Sequence, residues 1–266
     1  MTATAGSRGI LLAAPGGTCP EALAVFDQLL RTLSGCFPGI SVRWAFTSSG
    51  IRRKLEQQGR PALSPHQAFQ QMQAEGISYA AVVPLHLANG MEYTELAETV
   101  ESFRKGKGTL KHLSFGVPLL ADLDEWRRTL AVVLEPGLPE RKAEEGVVMV
   151  AHGSLEPRAA DMYRQAVAVC RQVDPRLFLG MILGKPSMAD VIDACREAGV
   201  STVWLLPAMV AAGFSAREEI GGPAPGSWKS GLEAAGIKCL PVAKGLGQFE
   251  GVVSLWVNRC RRLLAE

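Results

Sequence analysis

The stretch MVAHGS (149–154) contains the first candidate for chemistry, His152, which directly follows an apolar run. A neutral imidazole binds divalent transition metals and also accepts protons near neutral pH. The glycine at 153 would keep the approach to the ring open. A hydrogen-bonded structural histidine is the alternative, but a position at the end of a predicted strand favours metal binding or proton transfer by His152.

Two more candidates, His86 and Glu92, lie in the stretch PLHLANGMEY (84–93). His86 is inside an apolar run, so it either contacts a ligand or is a core imidazole bonded to a backbone carbonyl. Glu92 is either a metal ligand or general base, or an acidic residue in the first turn of a helix, where the helix dipole favours negative charge. Both alternatives stay open for both residues.

A group of cations, Arg52, Arg53 and Lys54, lies near the carboxyl end of another apolar run (41–47). Such a group is either a solvated helix face or an attractor for a ligand that carries many carboxylates.

Composition and missing motifs exclude several function classes. The chain has 28 basic and 26 acidic residues, a balance that argues against a nucleic-acid partner. Neither a phosphate-binding loop nor a G-x-S-x-G turn occurs. No apolar stretch approaches the roughly 20 residues of a membrane span. With six scattered cysteines and no signal peptide pattern, the sequence predicts a cytoplasmic protein.

The elements that position these residues follow from alternating apolar runs and amphipathic segments, which predict parallel β-sheets flanked by helices. One set of runs covers 9–15, 41–47, 79–87 and 113–120, and a second set covers 146–153, 177–183, 201–210 and 237–246. A stretch rich in Pro, Gly and charge separates the two sets. We therefore predict a flexible N-terminus (1–8), an N-terminal α/β lobe (9–134), a linker (135–145) and a C-terminal α/β lobe (146–266).

The two sets of runs resemble each other, which predicts an internal duplication. Aligning 9–16 with 146–153 places Pro15 opposite His152, and aligning 82–96 with 205–219 places Glu92 opposite Ser215. Unrelated βαβ units also share such features. A duplication predicts two similar lobes with a cleft between them, and ligands of open α/β sheets bind beyond the carboxyl ends of the strands.

The sequence resembles the anaerobic sirohydrochlorin cobaltochelatases, a family of class II chelatases related in fold to ferrochelatase. The stretches that carry the resemblance include AFTSSGIRRKL, PLHLANGMEY, AHGS and GSWKSGLEAAGIK, and they follow in order from about Gly9 to the C-terminus. The resemblance implies a cleft that holds a tetrapyrrole. It also implies insertion of Co²⁺ into sirohydrochlorin, with release of pyrrole protons, on the route to cobalamin.

The metal site implied by the resemblance is a triad, of which this sequence keeps His152. Leu183 stands where the family has a glutamate, Ser215 stands where it has a histidine, and Phe214 replaces the aspartate before that histidine. An aliphatic side chain and a hydroxyl bind Co²⁺ poorly. We therefore predict His152 and Glu92, the latter at the duplicate of the Ser215 position, as the catalytic and metal-binding residues. His86, or Glu218 and Glu219 on the predicted following helix, are the alternatives to Glu92.

The remaining predictions concern the substrates. Co²⁺ is expected as a substrate, with Fe²⁺ or Ni²⁺ also compatible with imidazole, and no prosthetic group is expected. A homo-oligomer is compatible with apolar sheet edges.

Two alternatives to a chelatase stay open. One is a divergent, non-catalytic protein that binds a tetrapyrrole for carriage, storage or sensing, and the other is a small-molecule enzyme unrelated to tetrapyrroles. The predicted substrate-binding residues are His86, Arg52, Arg53, Gly90, Gly153 and Ser215.

Overall fold

The computed structural model describes residues 7–106 and 108–266, which form two four-stranded sheets. All strand pairs in both sheets are parallel, and helices follow the strands, so the predicted fold class is confirmed. The first sheet contains β1 (Ser7–Ala14), β2 (Ser41–Phe46), β3 (Ile77–Pro84) and β4 (His112–Phe115), in the spatial order β2-β1-β3-β4. The second contains β5 (Gly146–Gly153), β6 (Leu177–Leu183), β7 (Thr202–Pro207) and β8 (Lys238–Pro241), in the order β6-β5-β7-β8.

The helices begin where local signals favour them. Ser64 and Gln67 form a reciprocal capping box at the start of the third helix, and Pro65 occupies its first turn. The α-helices are α1 (Pro20–Cys36), α2 (Ser49–Gln57), α3 (Pro65–Ala74), α4 (Met91–Lys105), α5 (Leu123–Leu134), α6 (Pro157–Val173), α7 (Met188–Glu197), α8 (Trp228–Ala234) and α9 (Glu250–Ala265).

Several element ends differ from the predicted ones. Strand β1 begins at Ser7, so residues 7 and 8 of the predicted flexible N-terminus belong to the sheet, and residues 1–6 lie outside the described part of the chain. The run 113–120 is strand only as far as Phe115, and Leu119–Ala121 is a short 3₁₀ helix. Pro118 precedes that helix and has no N–H to donate to a neighbouring strand. Strand β3 ends at Pro84, which places His86 beyond the strand.

Alternate side chains of each central strand enter different cores. Ile10 and Leu12 of β1 face a central core that both sheets share, whereas Leu11 and Ala13 face an outer core under α3 and α4. The second sheet repeats the pattern, with its outer core under α7 and α8. Burial on both faces explains why the strands read as continuous apolar runs.

Strand register confirms the predicted duplication. Pro84 of β3 pairs with Ala13 of β1, and Pro207 of β7 pairs with Val150 of β5. These are the pairs that the two sequence alignments place opposite each other, and Pro15 and His152 each directly follow the equivalent alanine of β1 and β5.

The C-terminal helix joins the two halves, because α9 packs on β3 and β4 of the first sheet. Residues 135–145 connect α5 to β5 without helix or strand. The lobe boundaries at these positions stay a prediction, since the central core is continuous across both halves. Among residues 7–106 and 108–266, no helix has the length and apolar character that crossing a membrane requires.

Candidate functional site

The strand orders place both candidate histidines at reversal points of the sheets. In the first sheet the chain turns to opposite sides of β1 to form β2 and β3, and in the second it does the same around β5. The carboxyl ends of β1 and β3, and of β5 and β7, therefore flank the crevices where ligands of open α/β sheets bind. His86 lies two residues beyond β3, and His152 is the next-to-last residue of β5.

The turn around His152 exposes its imidazole. Its side chain is exposed to solvent, and the following Gly153 has φ +79°. A Cβ atom at Gly153 would lie 2.0 Å from the backbone oxygen of Leu183, so only glycine fits there. Burial raises the pKa of Tyr163 on α6 to about 12, and the Gly153 backbone partly opposes this shift.

His86 and Glu92 are linked through a residue that the sequence analysis did not single out, Thr47. Thr47 directly follows β2, and its Oγ1 lies 2.9 Å from His86 Nε2 and 3.3 Å from Glu92 Oε2. The strand-end criterion that selected His152 applies equally to Thr47. It was missed because a single threonine carries no distinctive chemistry in a sequence.

The imidazole of His86 is buried. His86 is 5 % exposed, and burial lowers its pKa from the ordinary value of 6.5 to about 4. The ring of Tyr93 approaches it edge-on, with ring centroids 6.1 Å apart. His86 Nδ1 is also buried and has no hydrogen-bond partner among the described residues. These surroundings are those of a neutral histidine that contacts other side chains, and direct substrate contact by His86 stays a prediction.

Arg52 and Arg53 differ in how much of each side chain is available to a ligand. Arg52 donates to the backbone oxygens of Phe46 and Thr47, the latter at 2.8 Å. Burial lowers the pKa of Arg52, and the negative charges of Glu92 and Glu95 oppose that shift. Arg53 is exposed. Arg52 thus connects α2 to the end of β2, while Arg53 is open to carboxylates in solution.

Glu92 lines a cavity of about 240 Å³ in the first lobe. The other lining residues come from the ends of β2 and α2 and from the helices α3 and α4, and they include Thr47, Arg52, His66 and Glu95. Glu92 lies in the first turn of α4, as the helix-dipole interpretation also requires. Gly90 caps this helix in an extended conformation, and a Cβ there would meet no atom within 4 Å.

Leu183, at one of the two replaced ligand positions, lies beside the turn that carries His152, whereas Ser215 follows β7 on the other side of β5. Leu183 pairs with Gly153 across β5 and β6, and its side chain is 44 % exposed. Phe214 is 63 % exposed, and Ser215 begins the turn that leads into a short π-helix (Ala216–Ile220). The Leu183 position thus borders the His152 turn, while a shared site of Ser215 with His152 stays a prediction that the resemblance implies.

Two contacts connect the segments that follow the strands of one lobe to helices of the other. The backbone N–H of Asn89 lies 3.1 Å from Sδ of Met162 on α6, and Arg217 forms an ion pair with Glu21 at the start of α1. Within the described ranges, His, Cys, Asp and Glu side chains form no group of three or more that could hold a metal ion. The hydrogen bonds join Glu92 to Thr47, and Thr47 to His86, all within one lobe, and a common site of Glu92 with His152 stays a prediction.

The chain matches the model of the cobalt chelatase (CbiK) family over residues 8–264. It is similar to the sirohydrochlorin cobaltochelatase CbiKC of Nitratidesulfovibrio vulgaris, with 37 % identity over 254 residues that cover 94 % of this chain and 88 % of the relative. It is also similar to the sirohydrochlorin cobaltochelatase of Salmonella typhimurium, with 31 % identity over 249 residues, 93 % of this chain and 91 % of the relative.

Among solved structures, the fold is similar to that of SirB from Bacillus subtilis with Fe³⁺, with a TM-score of 0.66. The sequences are 16 % identical, and the match covers 97 % of this chain and 96 % of that one, so it supports the fold alone. The family match extends over nearly the whole chain, and both relatives exceed 30 % identity. This chain therefore belongs to the cobalt chelatase (CbiK) family.

Proposed function

We propose that this protein inserts Co²⁺ into sirohydrochlorin. The observation that carries the proposal is the match to two sirohydrochlorin cobaltochelatases, each similar along at least 93 % of this chain. The exposed His152 at the reversal point of the second sheet supplies a group suited to the reaction.

The chemistry requires a base and a metal ligand at one place. A metal ion enters a macrocycle only after the ring loses its pyrrole protons and the ion loses bound water. In our proposal His152 accepts a pyrrole proton or delivers the metal, and Glu92 assists from the other lobe. Arg53, together with Arg52, which also donates to backbone oxygens at the end of β2, attracts the carboxylates of the tetrapyrrole.

The substitutions at Leu183 and Ser215 favour brief metal contact over stable metal holding. Neither an aliphatic side chain nor a hydroxyl is a strong Co²⁺ ligand. Co²⁺ is a substrate in this proposal, and a site that releases it into the ring needs only weak binding. Fe²⁺ and Ni²⁺ remain compatible with an imidazole ligand.

We also propose a cytoplasmic location for the reaction. All six cysteines are free thiols, as is usual in a reducing compartment. The homo-oligomer expected from the sequence stays a prediction.

The proposal is tested with purified protein, sirohydrochlorin and Co²⁺, by following the absorbance change of metal insertion. We expect insertion by the wild-type protein and a loss of at least about 100-fold in rate for His152→Ala, since a positioned acid-base group typically contributes 10²–10⁴-fold. Tetrapyrrole binding by the variant, measured separately, should persist. His112→Ala, which removes an exposed histidine at the opposite end of a strand, is the matched control and should keep the wild-type rate.

Tight tetrapyrrole binding without insertion by the wild-type protein would contradict the proposal and support a carrier, storage or sensor protein. If His152→Ala inserted cobalt at the wild-type rate, the proposed chelatase function would stand, but His152 would have no role in it.

A further inference from the structure

The hydroxyl of Thr47 is buried and lies between the side chains of His86 and Glu92. Thr47 is 6 % exposed, and its backbone N–H donates to the carbonyl of Ala14 at 2.8 Å. Its own carbonyl accepts from Arg52 at 2.8 Å. With the backbone fixed on both sides, the hydroxyl has a defined position between His86 and Glu92.

The numbers of donors and acceptors on the three side chains determine which group donates in each hydrogen bond of Thr47. An ionised carboxylate only accepts, so the Thr47 hydroxyl donates its single hydrogen to Glu92. The Thr47 oxygen must then accept from His86, which places the imidazole proton on Nε2 and a lone pair on Nδ1. In the reverse arrangement, Thr47 would donate to His86, leaving a buried N–H on Nδ1 that has no partner among the described residues.

The equivalent positions of the second lobe carry side chains that cannot form the same hydrogen bonds. Phe46 pairs with Ala14 in the first sheet, and Met181 pairs with Ala151 in the second, so Ile182 is the equivalent of Thr47. The aligned equivalents of His86 and Glu92 are Met209 and Ser215. Because the same fold accommodates apolar residues at two of these three places, the polar side chains of the first lobe are not required for packing.

We propose that Thr47 and His86 are positioning residues that fix the carboxylate of Glu92 at the edge of the cavity, with His86 held as the Nε2–H tautomer. This inference deepens the proposed function and rests on it for the catalytic task of Glu92. One carboxylate oxygen is bound by Thr47, which leaves the other to a proton or a metal ion. Partners that orient a reacting or metal-binding group commonly change activity or metal affinity by 10–100-fold when removed.

Steady-state kinetics of cobalt insertion test the positioning role. Thr47→Val keeps the shape of the side chain and removes the hydroxyl, and we expect a fall in kcat of about 10–100-fold with little change in KM for the tetrapyrrole. Thr47→Ser restores the hydroxyl and should restore kcat. Thr99→Val makes the same change on the wall of the same cavity and should match the wild type, because the Thr99 hydroxyl donates to the backbone oxygen of Glu95 in its own helix. An unchanged kcat in Thr47→Val, or no recovery in Thr47→Ser, would overturn the positioning role.

The tautomer of His86 is measured without any activity. In ¹H–¹⁵N correlation spectra of histidine-labelled protein at neutral pH, we expect the His86 proton on Nε2 in the wild type and in Thr47→Ser. The His86 signals are assigned by their absence in His86→Gln. A proton on Nδ1 would overturn the hydrogen-bond chain. A wild-type protein that shows the Nε2–H signal but inserts no cobalt would instead contradict the proposed function.

Discussion

His86 and His152 illustrate how the same residue type acquires different properties at equivalent edges of two sheets. His152 is exposed, whereas His86 is buried against Thr47 and the ring of Tyr93. Burial removes water that would stabilise an imidazolium, and the pKa of His86 falls to about 4 for that reason. His86 is therefore neutral at physiological pH and suited to donating a hydrogen bond through one nitrogen.

The low pKa of His86 predicts a pH dependence of stability. The unfolded chain binds a proton at His86 with the ordinary pKa of 6.5, and the folded chain binds it only near 4. Protons therefore favour the unfolded state between these values, and the free energy of unfolding falls as the pH decreases from 6.5 to 4. We expect a contribution of His86 to this loss of about 3 kcal/mol, from about 1.4 kcal/mol per pKa unit.

This contribution is measured by urea unfolding at several pH values between 4 and 8 in the wild type and in His86→Gln. The glutamine variant should lose less stability on acidification, because its side chain does not titrate. Equal slopes for wild type and His86→Gln would show that burial of His86 does not control acid stability.

At the scale of elements, the turn from β5 into α6 depends on one glycine. Gly153 adopts a positive φ, and a Cβ would collide with the backbone of the neighbouring strand β6. We expect Gly153→Ala to lower the free energy of unfolding by more than about 2 kcal/mol, combining backbone strain with the collision. Chemical denaturation measures the loss.

Gly90→Ala provides the matched control at the corresponding edge of the first sheet. Gly90 has φ −97°, and a Cβ there has open space around it. We expect this change to alter the free energy of unfolding by no more than about 0.5 kcal/mol, as for most surface substitutions. Equal effects of the two substitutions would mean that the β5–α6 turn rearranges without cost.

At the scale of the whole molecule, a buried ion pair holds the C-terminal helix against the first half. Arg259 on α9 donates to Glu125 on α5 at 2.6 Å and to the backbone oxygen of Val117 at 2.8 Å. Arg259 and Glu125 are 3 % and 1 % exposed. Arg262 also reaches Glu125, at 3.3 Å, from a more exposed position. These contacts therefore bind the last helix, α9, to residues that precede the second sheet in the chain.

Breaking this pair should destabilise the protein strongly. Arg259→Met leaves a buried carboxylate with only the more distant Arg262, and removal of one partner of a buried pair typically costs 3–5 kcal/mol. We expect a loss of about that size in urea unfolding at neutral pH. Combining Arg259→Met with Glu125→Leu should cost less than the sum of the single changes, because no buried charge is then left without its partner.

An exposed pair on the same helix is the control. Asp124 and Arg127 form an ion pair near the start of α5, with both side chains largely in solvent. Asp124→Asn should change the free energy of unfolding by less than about 1 kcal/mol. A similar loss for Asp124→Asn and Arg259→Met would show that burial does not determine the strength of these pairs.

Sequence alone determined the architecture, because burial of each strand on both faces requires long apolar runs that stand out from the amphipathic helices. The repeated pattern also predicted which positions of the two sheets correspond, and the register places Pro84 and Pro207 at equivalent positions. His152 was found in the same way, since the end of an apolar run followed by glycine identifies an exposed strand end in a parallel sheet.

Tertiary structure alone decided which side chains touch. Thr47 and Glu92 are 45 residues apart in the chain, and no periodicity relates the end of one strand to the first turn of a later helix. Burial of His86 and the carbonyl contacts of Arg52 likewise depend on packing between elements. Apolar patterns report which face of an element is buried, whereas a hydrogen-bonded site depends on distances between atoms that only the assembled chain fixes.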